Sequence, residues 1–407
     1  MRCRHCGNVL QHTFLDLGFA PPSNAYLKTE DLTRPEMTFP LRVKVCHHCW
    51  LVQTEDYAQA EELFKADYAY YSSTSSSWLA HAEQYCRHIT KLLGLDAGSK
   101  VIEVASNDGY LLRNFVNAGI PCLGIEPTTG TAQAARSLGI PVMCEFFGAA
   151  LARRLAALGQ AADLIIGNNV YAHVPDINDF TKGIAALLNP EGVVTLEFPH
   201  LMRLIDQAQF DTVYHEHFSY LSLTTVVKIF AAAGLRVWDV EELPTHGGSL
   251  RVYGCLTRAQ RQESQRVSAM IRREADEGLT QIQKYTSFQA QADRIKDDLL
   301  LFLVEQKRAG KRVAAYGAAA KGNTLLNYAG IKPDLLPRVC DAATAKQGKY
   351  LPGSHIPIFP PENLRQDRPD FVLVLPWNLA SEIRADLADL ANRSVKFVEA
   401  IPQLVVQ

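Results

Sequence analysis

From Lys100 onward, short apolar runs alternate with stretches of helical spacing: Val101 to Ala105, Pro121 to Ile125, Ile140 to Cys144, Leu164 to Gly167 and Val193 to Phe198. This alternation predicts βαβ units, hence a mostly parallel sheet with helices on both faces. Between Gln260 and Arg308 the pattern changes. Ala, Gln, Glu, Arg and Leu recur at helical spacing without a proline, which predicts one or two long helices linking domains, with most of their charges on a solvated face. Arg312 to Gly317, Arg338 to Asp341 and Asp370 to Leu375 then mark a second α/β unit. Ahead of the first unit, Pro21-Pro22 and the run Leu41 to Val45 predict a small insert rather than a sheet of the same kind.

The chain has 407 residues, 47% hydrophobic and 21% charged, more than one core usually fills. Two to three domains are expected. A formal net charge of -2 argues against a nucleic-acid partner, which calls for a basic stripe. The N-terminus lacks the apolar stretch of a secretory signal, and no later run approaches the ~20 apolar residues of a membrane span. The expectation is a cytoplasmic protein with no membrane partner. A monomer is compatible with the sequence, which does not set the oligomeric state. In that compartment nine cysteines are read for metal rather than for disulfides. Cys3-x-x-Cys6 and Cys46-x-x-Cys49 supply four thiolates for a tetrahedral zinc ion, with His5, His47 and His48 beside them as substitutes. Four protein ligands close the coordination shell, so the zinc is expected to be structural.

In parallel sheets ligands bind at the carboxyl ends of the strands, and polar residues cluster there. The first strand runs into Glu103-Val104-Ala105-Ser106-Asn107-Asp108-Gly109-Tyr110, a small-residue turn where backbone amides can face a carboxylate or ribose. The second ends at Glu126, which can accept both ribose hydroxyls. No glycine triplet for a pyrophosphate is present, which favours a cofactor without phosphate. The fourth strand delivers Asn168, Asn169 and His173 to the same edge. After the fifth comes a polar aromatic insertion, Phe210 to Tyr220, in which Tyr214, His215, Glu216 and His217 crowd together as acid/base candidates. In the second unit, Gly317-Ala318-Ala319-Ala320-Lys321-Gly322-Asn323-Thr324 offers small residues, a lysine and a helix N-terminus suited to a diphosphate, without the order of a P-loop.

These marks, together with Gly247-Gly248-Ser249-Leu250-Arg251, stand in the order seen in the sugar-nucleotide C-methyltransferases of branched deoxysugars, a family this chain resembles over nearly its whole length. The resemblance implies an α/β protein with a small N-terminal zinc-binding domain (1–65), a central class I S-adenosylmethionine (SAM) methyltransferase domain of Rossmann-like fold (66–258), and a helical linker plus a second Rossmann-like domain binding the sugar nucleotide (259–407). Glu103, Ser106, Asn107, Asp108, Gly109, Glu126, Asn168 and Asn169 would hold SAM. Ala105 departs from the glycine of many methyltransferases. His246, Ser249, Arg251, Gly317, Lys321 and Asn323 would contact a nucleotide-linked 4-keto-6-deoxysugar. Tyr68 and Tyr70 would close over cofactor or sugar, or simply pack as aromatics. His217 would abstract the proton next to the ketone, with Glu216 orienting it, Tyr214 holding the sugar and His173 polarising or protonating the 4-keto oxygen. The enolate carbon, carbon 3, would take the methyl group.

Other readings stay open at this stage. O-methylation of a sugar or small molecule would use the same pocket and base. A zinc-ribbon nucleic-acid-binding or RNA-modifying protein is allowed by the cysteines but opposed by the charge. An NAD-dependent enzyme is opposed by the missing dinucleotide fingerprint at Gly317.

Overall fold

The computed structural model describes residues 1–57, 72–391 and 394–407; Tyr68 and Tyr70 lie outside them. The N-terminal insert is an antiparallel sheet of β1 (His12–Ala20), β2 (Phe39–Val45) and β3 (Val52–Thr54). In β2, Leu41, Val43 and Val45 face the core while Arg42 and Lys44 are half-exposed, the period-2 alternation of a half-buried strand.

The central unit contributes β4 (Val101–Val104), β5 (Cys122–Ile125), β6 (Val142–Met143), β7 (Ala162–Asn168), β8 (Leu188–Pro199), β9 (Ser219–Tyr220), β10 (Leu235–Leu243) and β11 (Ser249–Leu256). Its seven-stranded sheet has the order β10-β11-β8-β7-β4-β5-β6. The five strands anticipated from apolar runs are mutually parallel, and β11 is antiparallel to both its neighbours. The pair β10 and β11 is an addition to the sequence reading. Every residue of β11 is buried although it contains Arg251, because Glu197 of β8 and Glu241 of β10 flank that guanidinium. β9 leaves the central sheet and pairs with β3, so the Phe210 to Tyr220 insertion is stitched to the N-terminal sheet.

The anticipated linker forms three helices, Gln265–Asp276, Ile282–Thr286 and Phe288–Arg308. The first break falls at Gly278, whose φ of +86° is left-handed. Phe288, Ala292, Ile295, Leu299, Phe302 and Leu303 form a buried stripe at helical spacing. Phe14 of β1 stacks on Phe288 at 4.6 Å, and Phe302 meets Phe371 edge-on at 5.2 Å. The long helix thereby joins the first and third units in one hydrophobic core. One linker charge is not solvated. Glu274 is fully buried and accepts from His200 Nε2 (2.7 Å), Leu223 N (2.6 Å), Thr224 N (2.8 Å) and Thr224 Oγ1 (2.6 Å).

The third unit is a six-stranded sheet of β12 (Val313–Tyr316), β13 (Val339–Cys340), β14 (Ile358–Phe359), β15 (Phe371–Val374), β16 (Lys396–Glu399) and β17 (Val405–Val406). The order is β14-β13-β12-β15-β16-β17, parallel except for β17. Among the described residues no helix is long and apolar enough to cross a membrane.

Candidate active site and metal centre

Two tight turns present the cysteines. Cys3 and Cys49 Sγ lie 3.5 Å apart, as do Cys6 and Cys46, and all four sulfurs fall within 4.8 Å of one another. A tetrahedral zinc ion holds sulfurs at ~2.3 Å and so ~3.8 Å from one another, which this cluster fits. Gln53 Nε2 and Asn8 Nδ2 point amides at Cys3 and Cys6, as thiolates require. Two of the neighbouring histidines are engaged elsewhere: the His5 ring bonds Asn178 Oδ1 and His47 packs against His12. The three buried cysteines belong to the core of the central unit.

At the carboxyl ends of the adjacent strands β4 and β7, buried polar atoms converge. Glu103 Oε2, Ser106 Oγ, Asp108 Oδ1, both amide atoms of Asn168 and Asn169 Oδ1 have no hydrogen-bond partner among the described residues. Native interiors satisfy nearly all such atoms, so the set fits a polar ligand with ribose, amine and carboxylate groups. Glu126 takes the amides of Asn107 and Thr128, each at 3.0 Å, one on each oxygen, leaving a second lone pair on both. Burial first, then the charges of Glu126 and Asp108, push the Glu103 carboxyl well above its ordinary value. That shift favours the protonated form of Glu103. Ala105 and Asn107 adopt left-handed φ of +56° and +50° in the turn, and Gly109 has φ +81°. A side chain at Gly109 would come within 2.4 Å of Ile140 and 3.1 Å of Ala135, so this glycine lets the turn sit against the helix Thr129–Ser137 and the residues just after it.

Beside that edge stand the residues of the insertion. Tyr214 lies tilted against His217 at 4.0 Å and His173 meets it edge-on at 4.6 Å. His217 Nδ1 lies 2.9 Å from the Thr212 carbonyl and His173 Nδ1 lies 2.9 Å from the Glu216 carbonyl. A carbonyl only accepts, so each ring carries its proton on Nδ1 and, when neutral, presents Nε2 as a lone pair. Burial, then the His173 charge, pushes His217 well below its ordinary value, and burial pushes His173 down to about 4. This corrects two expected roles. Thr212, not the Glu216 side chain, orients His217; Glu216 Oε1 accepts from Asn24. In the neutral form that burial favours, His173 has its proton on the Glu216 carbonyl and so offers a ketone no donor.

The residues expected to contact substrate divide. His246 belongs to the site: it sits on a tight turn with φ +53°, its Nε2 is 3.2 Å from Asn169 Nδ2, and its ring tilts against Trp78 at 5.3 Å. Arg251 does not belong. It donates to Glu197 at 2.6 Å and to Glu241 at 3.2 Å and lies over the Tyr85 ring, locking the sheet. Ser249 Oγ is spent on the Thr245 carbonyl, which fixes the His246 turn. Asn323 Nδ2 donates to Ser23 O, tying the third unit to the first. Gly317 has φ +91°, and a Cβ there would lie 2.4 Å from Pro376. The Ala318 amide donates to Asp341 Oδ2 at 2.7 Å, so an acidic side chain occupies the turn expected to hold a diphosphate. Lys321 points the other way, donating to Asn378 Oδ1 at 2.6 Å and lying 4.5 Å from the Trp377 ring.

Several site residues escaped the sequence reading. Trp377 Nε1 donates to Asp211 at 2.8 Å, joining the third unit to the insertion. Asn24 reaches Glu216, and Tyr26 donates to Ala318 O, both from the first unit. The strand-end rule that found Glu126 applies equally to Trp377 and Asn378, which follow β15. No comparable signal marks Asn24 or Tyr26.

Residues 3–64 match a zinc binding domain family, 78–240 a methyltransferase domain and 244–402 the C-methyltransferase C-terminal domain. C-methyltransferase NovU of Streptomyces niveus is 33% identical over 401 residues, covering 98% of this chain and 95% of NovU. The ubiquinone biosynthesis O-methyltransferase of Bartonella bacilliformis is 24% identical over 102 residues, 24% of this chain and 40% of that one. A SAM-dependent methyltransferase structure from Clostridium acetobutylicum aligns with a TM-score of 0.35 at 12% identity, over 48% of this chain and 95% of its own.

Proposed function

The chain belongs to the SAM-dependent C-methyltransferase family that includes NovU, and from that premise we propose that its acceptor is a nucleotide-linked 4-keto-6-deoxysugar, methylated at carbon 3. The observation that carries this reading is His217. It is buried, bonded to Thr212 at Nδ1, and packed beside Tyr214 at the edge where the polar atoms that would hold the cofactor converge.

Carbon next to a ketone is nucleophilic only after losing a proton, and a neutral imidazole can take it. The site is dry enough for a base of depressed pKa to stay uncharged until that step. Tyr214 gives the sugar ring a flat wall. Asn24, bonded to Glu216, holds the loop between His215 and His217 from the first unit. Glu103, Ser106, Asp108, Glu126, Asn168 and Asn169 would hold SAM, which supplies an electrophilic methyl group when bound. With donor and acceptor held side by side, positioning provides much of the catalysis. The zinc ion takes no part in the chemistry and stabilises the first unit.

The test is incubation of the protein with SAM and a panel of nucleotide-linked 4-keto-6-deoxysugars, with the product read by mass and NMR. The expected product carries a methyl on sugar carbon 3. A methyl on oxygen, or no transfer to any member while SAM still binds, overturns the acceptor assignment.

A further inference from the structure

We propose that Lys321, contributed by the third unit, is a catalytic residue that hydrogen-bonds the developing enolate oxygen, rather than a ligand for the diphosphate; this rests on the acceptor proposed above.

An enolate needs a base and also a donor at its oxygen. The two imidazoles nearest the reaction cannot be that donor in their neutral form, since both protons are committed to backbone carbonyls at Nδ1. Lys321 is placed to supply it. It stands in the first turn of the helix Ala320–Tyr328, one turn before Thr324, whose Oγ1 donates to Val213 O at 2.8 Å. That bond fastens the helix to the same short loop, 211 to 213, whose Thr212 carbonyl holds His217. A second clamp runs through Trp377, over which the lysine lies and whose Nε1 bonds Asp211. The far edge of Trp377 fits against Gly247, where a Cβ would come within 2.4 Å of the ring, next to His246. Lysine, Trp377 and the His246 turn thus form one wall of the cluster around His217.

Electrostatics agree with this placement. The lysine's charge is felt at His217, at His246 and at Asp211. Asp211 in turn supports the ammonium against its burial. The partner it now touches, Asn378 Oδ1, is neutral, so the amine keeps donors for a ligand. The alternative, a diphosphate on the Gly317 turn, would have to approach Asp341, which already takes the Ala318 amide and has Lys346 Nζ at 3.5 Å.

The step balances without a further reactant. The C–H bond at carbon 3 breaks, its proton bonds to His217 Nε2, its electron pair becomes the C=C bond, and the carbonyl π pair moves onto oxygen. Lys321 donates a hydrogen bond to that oxygen and transfers nothing.

The experiment compares wild-type protein with Lys321→Met and Lys321→Arg. Four quantities are read: methylation of the sugar that wild type accepts, exchange of its carbon-3 proton with deuterium oxide, SAM affinity, and affinity for that sugar's free nucleoside diphosphate. Loss of one oxyanion donor is expected to lower kcat and the exchange rate together, on the order of 100-fold or more, in Lys321→Met. Lys321→Arg should fall less, and both affinities should stay at wild-type values. Weakened diphosphate binding with exchange intact at saturating sugar would return Lys321 to the phosphate role and overturn the proposal, as would unchanged exchange in a folded Lys321→Met protein. If the methionine variant fails to fold, the arginine variant decides: exchange and kcat lowered together, with KM unchanged, in a folded, SAM-binding protein is the expected result, and exchange equal to wild type with a raised KM overturns the proposal. Failure of wild type to exchange or methylate any panel sugar is a different result and removes the acceptor assignment itself.

Discussion

As the proposed base, His217 would draw its reactivity from where its two nitrogens face. The Thr212 carbonyl takes the Nδ1 proton and burial disfavours the imidazolium, which favours the neutral ring that the proposed role requires. The sign of the pH response follows. Falling pH protonates a base only at its own pKa, and this one lies well below 6.5, so the acid limb of kcat/KM should appear below pH 6.5 with no loss between 8 and 6.5. Burial also lowers the Lys321 pKa from 10.5, so the alkaline limb should begin below that value. A pH-rate profile checks both. His217→Ala should lose on the order of 100- to 10,000-fold in turnover while SAM affinity, read by calorimetry, is retained; wild-type turnover in that variant would remove the base assignment. Ala105 makes a residue-scale prediction of a different kind. It holds φ +56° in the cofactor turn, a conformation that costs an L-residue about 1–2 kcal/mol and a glycine little. Ala105→Gly is therefore expected to stabilise the fold by no more than about 1 kcal/mol once the greater freedom of the unfolded glycine chain is counted, read as a raised denaturation midpoint.

At the scale of elements, legibility depended on what each strand buries. The five parallel strands announce themselves because both faces are covered and nearly every position is apolar. β11 hides, because Ser249 and Arg251 read as a binding motif until Glu197 and Glu241 are seen beside them. The cofactor edge was legible because strand ends and turns are local. The wall made by Lys321, Trp377 and Asp211 was not, since 166 residues separate the last two and only packing brings them within 2.8 Å. The linker shows the same limit: spacing gave its helices, but not that Glu274 would turn inward to cap the helix Leu223–Ala232. Burial opposes the Glu274 charge, yet the His200 bond and those of Thr224 outweigh it and hold the carboxyl below its ordinary 4.5. Its stabilisation is thus fully present above about 4.5 and lost as pH falls through the lower folded value. Glu274→Ala, which strands His200, is expected to cost about 3–5 kcal/mol at neutral pH, read as a shift of the urea midpoint. If that variant unfolded at the wild-type midpoint, the pair would be a bystander.

For the molecule as a whole, the first unit is more than an appendage stabilised by metal. Its sheet is completed by β9 from the Phe210 to Tyr220 insertion, its Asn24 holds Glu216, and its Tyr26 and Ser23 reach the third unit. Its three buried cysteines share a core with the central sheet, and Thr225 donates to the Cys49 carbonyl. A zinc ion in a four-thiolate site contributes its binding free energy directly to folding. Removing it should therefore loosen the cysteine turns and, through β3 and β9, the loop that fixes His217. The prediction is one zinc per chain by elemental analysis, and a chelator-treated or Cys46→Ser protein with a lower Tm. Methyl transfer should fall more steeply than SAM affinity, because the cofactor edge at β4 and β7 belongs to the central sheet while His217 lies on the stitched insertion. Equal losses of both would mean that the metal acts only through global stability. Full activity in metal-free protein would mean that the insertion holds its shape without the first unit, and that β9 and Asn24 are passengers in the active site.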